Sequence, residues 1–256
     1  MNTKILKSNH LKRIIIIILF IINPFTLLAQ KEVTWDYPVK PGTEEWKSLK
    51  SYDERLNAYN ISIEVLEKMN TKNLVKTCLA YPEFRLIMTR NSIQEGYSYI
   101  KSIFNGFAEL EKRKDSGFQL IDEYRKLKPV EVKNYNELVD QGKHIFKFTY
   151  LEILLAQRAI LTNMSVNDKK ELLELGISNY EGKYNLPKYY SSFGLETSTL
   201  VLGRLLDVDN YQAYISAAAN DERLKRFIAS SILFDSSSLA KTIDLAKNYE
   251  IRLKNE

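Results

Sequence analysis

No residue between Pro82 and Pro129 forbids a helix, and Ile93, Tyr97, Ile100, Ile103, Phe104, Phe107 and Leu110 recur there at the spacing of one helical face. The same spacing returns before and after this stretch. Nowhere does a run alternate apolar with polar residues as a half-buried strand must. The chain is therefore expected to be all-α, an irregular multi-helix bundle or a short array of helix hairpins with about ten helices. No fixed repeat period recurs, so a regular solenoid is not supported.

Capping residues divide the pattern. Thr43 begins a short helix through Trp46 and Leu49, and Ser62 is an N-cap with Ile61 and Leu66 as a hydrophobic staple. Thr71 caps a helix that stops at Tyr81-Pro82. Ser92 and Glu95 have capping-box spacing for a helix ending near Asp115 to Gly117, and Ser116 with Gln119 repeats that spacing for one that Pro129 closes. The longest element is expected from Asn134, with Glu137 as its box partner, to about Asn163. Its middle, from Ile145 to Ala156, is apolar on nearly every side, which places it at the centre of a bundle, with Lys143, His144, Lys147, Glu152 and Arg158 on the remaining polar face. Ser165 and Asp168 open a further helix, and Ser178 with Glu181 another. Helices near 193–206, from Asp209 with Gln212, around 224–232 and over 238–253 finish the chain.

The N-terminus sets the compartment. Lys4, Lys7, Lys12 and Arg13 precede an unbroken apolar run from Ile14 to Ile22, and Leu27-Leu28-Ala29 offers a small residue at a cleavage position. Residues 1–29 are expected to be a signal peptide, because the run is shorter than the roughly 20 residues of a membrane-spanning helix and Asn23-Pro24 interrupts it. An uncleaved anchor is the alternative. Cleavage after Ala29 would leave a single helical domain over 30–256, exported to the periplasm or beyond the cell, with no membrane span.

The whole chain carries a net charge of +5. Removing the four basic residues of the leader leaves 33 Lys and Arg against 32 Asp and Glu, a charge of +1. No global field then favours nucleic acid, and no nucleic-acid partner is expected.

Chemical motifs are few. Cys78 is the only cysteine, so no intramolecular disulfide exists, and it falls on an apolar helical face. His144 is the only histidine outside the leader, which leaves too few ligands for a structural zinc site and makes a Cys78 and His144 nucleophile pair a minor reading. Gly176 to Lys183 has five residues between its glycines where a phosphate loop has four, and Tyr184 where a hydroxyl must bind metal. Asp207-Val208-Asp209-Asn210 lacks the glycine and closing Glu of a calcium loop. Glu196, in Gly194-Leu195-Glu196-Thr197-Ser198, is expected to be an exposed helix residue. No cofactor, metal or catalytic residue is assigned.

Residues 30–42 are expected to form an extended arm, because Pro38 and Pro41 oppose helix. Trp35 and Tyr37 on this arm, with Trp46 just beyond it, are the candidate binding surface, since such rings suit sites with one apolar and one wet side. The stretch from Val33 to Trp46, together with Phe104-Asn105-Gly106-Phe107 and Glu109-Leu110, resembles a group of uncharacterised exported bacterial proteins. The resemblance implies an exported helical module and transfers no catalytic residues. The expectation for function is a non-enzymatic binding or interaction module of the cell envelope, its partner a protein or another envelope component. The alternative is a carboxylate-dependent hydrolase of cell-wall or glycan material, which requires two acids facing each other across a deep cleft.

Overall fold

The computed structural model describes residues 32–232 and 236–255, so the leader over 1–29 and the expected start at Gln30 lie outside the described residues. Those residues form an all-α protein of fourteen α-helices and two 3-10 segments, with no strand among them. Ten of the sixteen span seven residues or more. The other six are short joints, which periodicity over a longer window does not register.

Residues 32–42 carry no helix. Tyr37 turns the arm at a φ of 44°, an uncommon backbone for a bulky residue, and its buried ring and hydroxyl offset the strain. The hydroxyl donates to the Thr77 carbonyl at 2.7 Å. Four helices follow: α1 (Glu44–Ser48), α2 (Tyr52–Asn57), α3 (Ile63–Lys68) and α4 (Thr71–Leu79). Asn70, not Thr71, caps α4, because its side chain accepts from the Asn73 N–H at 2.8 Å.

After a 3-10 segment (Phe84–Thr89) the helix expected to run from Ser92 to Asp115 is broken in two, α5 (Ile93–Ile103) and α6 (Asn105–Lys112). Phe104 between them is extended, and a pair of asparagines fixes the break. The Asn60 carboxamide oxygen accepts from the Asn105 N–H at 2.8 Å, while the Asn105 side chain bonds both backbone groups of Ile61. These bonds satisfy groups that a continuous helix would have paired internally. α7 (Ser116–Arg125) starts without the expected box: Asp115 is the N-cap and Ser116 lies buried inside the first turn.

The element expected over 134–163 is likewise three pieces. Asn134 ends a 3-10 segment begun by Pro129, α8 covers Leu138–Leu155, and α9 covers Arg158–Asn163. Gln157 departs from helical backbone at the second break, and its side chain donates to the Ile153 carbonyl at 2.7 Å. α10 (Val166–Tyr184) opens with the Ser165 and Asp168 box and runs unbroken through Ser178, where a second start was expected. α11 (Ser192–Val208), α12 (Gln212–Ala219), α13 (Glu222–Ser230) and α14 (Ser236–Asn255) complete the fold, and α14 rather than the 134–163 stretch holds the longest helix.

α11 occupies the centre, packed by α8, α10 and α14 and touched by α9, α12 and α13. Leu200, Val201, Leu202, Leu205 and Leu206 are buried on it, so apolar residues surround the helix instead of lining one face. The expected central helix, α8, joins this core mainly through its C-terminal half, with His144 and Ile145 the inward residues of its first half. The N-terminal helices contribute an aromatic cluster in which Tyr81 stacks on Phe104 at 4.5 Å and Phe107 meets Phe84, Tyr81 and Phe104 edge-on. Cys78 is a free, fully buried thiol in this core.

Candidate functional site

The arm's aromatics are held against the core. Tyr37 is buried, with Tyr59, Tyr81 and Phe104 around it. Trp35 and Trp46 are half-buried: the Trp35 indole donates to the Tyr59 carbonyl at 3.2 Å, and Arg55 covers Trp46 at 5.7 Å. These three residues come together, but as an anchor for the arm and not as an open platform.

Sequence patterning missed a polar cluster at the centre. Glu152 of α8, assigned to that helix's polar face, is fully buried and faces Lys183 of α10, also at 0% exposure. The Lys183 ammonium donates to both Glu152 oxygens at 2.7 Å, to Ser198 Oγ at 2.9 Å and to the Gly194 carbonyl at 3.1 Å. Tyr124 and Ser198 hydroxyls donate to Glu152 Oε1, each at 2.7 Å, and Thr197 donates to Oε2 at 2.6 Å. Burial pushes the Lys183 pKa down and the Glu152 charge opposes it. The bidentate pairing holds the ammonium form.

Ser198 and Lys183 thus lie at the distance of a nucleophile and its base. Their hydrogen bonds point inward, however: Ser198 gives its proton to Glu152, and neither side chain meets solvent. The arrangement joins α7, α8, α10 and α11 instead of exposing a reactive group. Phe148 lies 4.8 Å from the Lys183 ammonium and closes the joint.

The same joint leaves one face of the other half of α8 outside the core. Leu138 and Val139 in its first turn are 81% and 69% exposed, and Phe146 two turns later is 45% exposed. Val139, Phe146 and Tyr150 line an open groove of about 570 Å³ whose far wall is Leu79 of α4. Tyr150 is fixed from below by Phe84, stacked at 3.9 Å. Lys143 and Lys147 stand on the rim; Lys143 pairs with Asp140 at 2.8 Å, and among the described residues no carboxylate pairs with Lys147. An apolar trough with a cationic edge is what these residues build. Their sequence signal was the near-continuous apolar run from Ile145, which exceeds what a single buried stripe needs.

The remaining candidates take structural positions. Burial lowers the pKa of His144, whose Nε2 lies 3.2 Å from the Lys128 carbonyl. Asp207 pairs with Arg158, and Asp209 with Lys169 at 2.7 Å. Among the described residues no cluster of three or more His, Cys, Asp or Glu is placed to hold a metal, and no helix is long and apolar enough to cross a membrane. No protein-family profile, no curated protein and no solved structure matches the chain.

Glu196 is buried, contrary to its expected exposure, and desolvation alone raises its pKa from 4.5 to about 7. The folded state therefore holds this proton more tightly than the unfolded chain does. Its stabilising effect is complete below about pH 4.5 and is lost as pH rises through about 7. Glu196→Gln is expected to raise stability by about 2 kcal/mol near pH 8, after allowance for residual solvent contact, and to change it little near pH 4. Urea unfolding of both proteins at the two pH values checks this, and an equal gain at both would remove the carboxylate as its cause.

Proposed function

We propose that the chain is an exported, non-enzymatic binding module of the cell envelope, and that its groove on α8 receives an apolar segment flanked by acidic residues from a partner protein. The observation that carries this reading is the exposed strip of Val139, Phe146 and Tyr150 beside Lys147. Large apolar side chains clustered in a concave surface mark interaction sites more often than singly scattered ones do. The cationic rim selects negative charge in the segment's flanks. Export rests on the basic, apolar and small-residue order of positions 1–29.

The hydrolase reading draws less support from the carboxylates at these grooves. Glu181 and Asp244 share an open groove with Tyr180 and Tyr184, but Glu181 is half-exposed and tied to Lys247 at 2.6 Å. Glu196 has the raised pKa of a general acid, yet no neighbouring carboxylate contributes to it.

Mass measurement of the mature N-terminus tests export, with Gln30 the expected first residue. Binding is tested by capture from envelope extract with the wild type and with Phe146→Asp. Phe146 is half in solvent, so the substitution is expected to keep the melting temperature while reducing the captured partner at least about tenfold. Equal capture by both proteins would dismiss the groove.

A further inference from the structure

Arg204 is a core cation that forms no ion pair of its own, with Arg158 and Asp207 close enough to act on its charge in opposite senses. It sits on α11 between Gly203 and Leu205 and is only 3% exposed. Its guanidinium donates through Nε to the Ile228 carbonyl at 2.9 Å, through Nη1 to Ala156 at 3.1 Å and through Nη2 to Ala229 at 3.2 Å. Those carbonyls belong to the C-terminal ends of α8 and α13, where helix dipoles present partial negative charge. Three of the five N–H donors are thereby used, and two remain. Among the described residues no carboxylate forms an ion pair with Arg204, and burial lowers its pKa to about 10.

The guanidinium also borders a cleft of about 330 Å³ that Gln94, Lys101, Glu111, Gln157 and Arg158 help to line. The nearby acids are already committed. Glu111 takes the Lys101 ammonium at 3.0 Å and the Tyr97 hydroxyl at 2.8 Å, while Asp207 pairs with Arg158. Pairing Lys101 with Glu111 and Arg158 with Asp207 leaves one cation in excess, and Arg204 is the one without an ion pair, drawing only on the Asp207 carboxylate that Arg158 already holds. A buried cation with spare planar donors and open space beside it favours a planar anion over water.

We propose that this cleft is a binding site for a small carboxylate-bearing ligand, with the carboxylate on the free N–H groups of Arg204 and the amide of Gln94 at the rim. A single negative charge matches the one cation in excess, and a carboxylate plane matches the guanidinium edge. The cleft's volume suits an acylated amino acid or the free C-terminal residue of a peptide. This site is separate in its lining from the α8 groove, and its ligand class does not depend on what that groove receives.

Titration of the ¹⁵N-labelled mature chain with N-acetylglycine, monitored at the arginine Nε–H signals, tests the assignment. Saturable movement of the Arg204 signal at about millimolar concentration is expected, with none for N-acetylglycinamide. An alanine-terminated tetrapeptide with a free carboxylate, compared with its amide, distinguishes a peptide C-terminus from a free acid. Arg204→Lys is expected to abolish binding, but it also removes bonds to helix ends. Arg158→Gln supplies the second variant: it frees Asp207 to compete for Arg204 and is expected to weaken N-acetylglycine at least about tenfold with the fold intact. Equal binding of acid and amide, tighter binding of inorganic phosphate than of N-acetylglycine, or unchanged affinity in Arg158→Gln would each overturn the proposal.

Discussion

Replacing Lys183 with Met is expected to cost about 3–5 kcal/mol of stability near pH 8, because it leaves the Glu152 carboxylate buried without its counter-charge. The three hydroxyl donors from Tyr124, Thr197 and Ser198 remain, but they were arranged around an anion already balanced by an ammonium. Adding Glu152→Gln removes the stranded charge, and the double variant is expected to be more stable than Lys183→Met alone near pH 8. Urea unfolding of the wild type, the single variant and the double variant gives the coupling energy directly. A single variant within about 1 kcal/mol of wild type near pH 8 would show that the pair contributes little to holding the four helices together.

That joint also marks where sequence patterning stops being informative. Helix type was legible because apolar spacing is a property of each segment, and Ser92 and Ser165 placed the starts of their helices correctly, while the spacings at Ser116, Asn134 and Ser178 did not mark starts. Helix ends set by distant residues were not legible. Phe104 interrupts a fully helical pattern because Asn60, forty-five positions before Asn105, accepts from the Asn105 N–H. The break after α8 depends on Gln157 and on Arg204, which reaches the Ala156 carbonyl from forty-eight positions away.

Charge was misread for a related reason. Glu152 follows Leu151 and precedes Ile153, Leu154 and Leu155, so a nearly all-round apolar helix offered no clear solvent face for it. Its burial became explicable only with Lys183 on the facing helix. Glu196 has no such partner, and its position three residues before Thr199 in an apolar helix carried no usable sign of burial. The groove was partly visible, in that α8 has more apolar surface than the central packing needs. The arm's rings drew attention as a surface, but three aromatics close in sequence are equally suited to an internal anchor.

Gly96→Ala is expected to destabilise the protein by about 3 kcal/mol although alanine is the better helix former by about 1 kcal/mol. Gly96 lies on α5 where that helix crosses the 3-10 segment Phe84–Thr89, and a Cβ placed there would come within 1.9 Å of the Ile87 carbonyl oxygen and 2.7 Å of its carbon. Both are backbone atoms, so rotation of a side chain cannot relieve the clash. The 3-10 segment must move, and Phe84 moves with it. Phe84 supports Tyr150 at the α8 groove, which makes this crossing a link between core packing and the proposed binding surface. Gly142 provides the contrast on α8, because a Cβ there meets nothing within 4 Å and its backbone requires no positive φ. Gly142→Ala is thus expected to stabilise by up to about 1 kcal/mol. Urea unfolding of the two variants should move in opposite directions. If Gly96→Ala is as stable as wild type, the close crossing that seats Phe84 under Tyr150 cannot be as tight as its geometry requires.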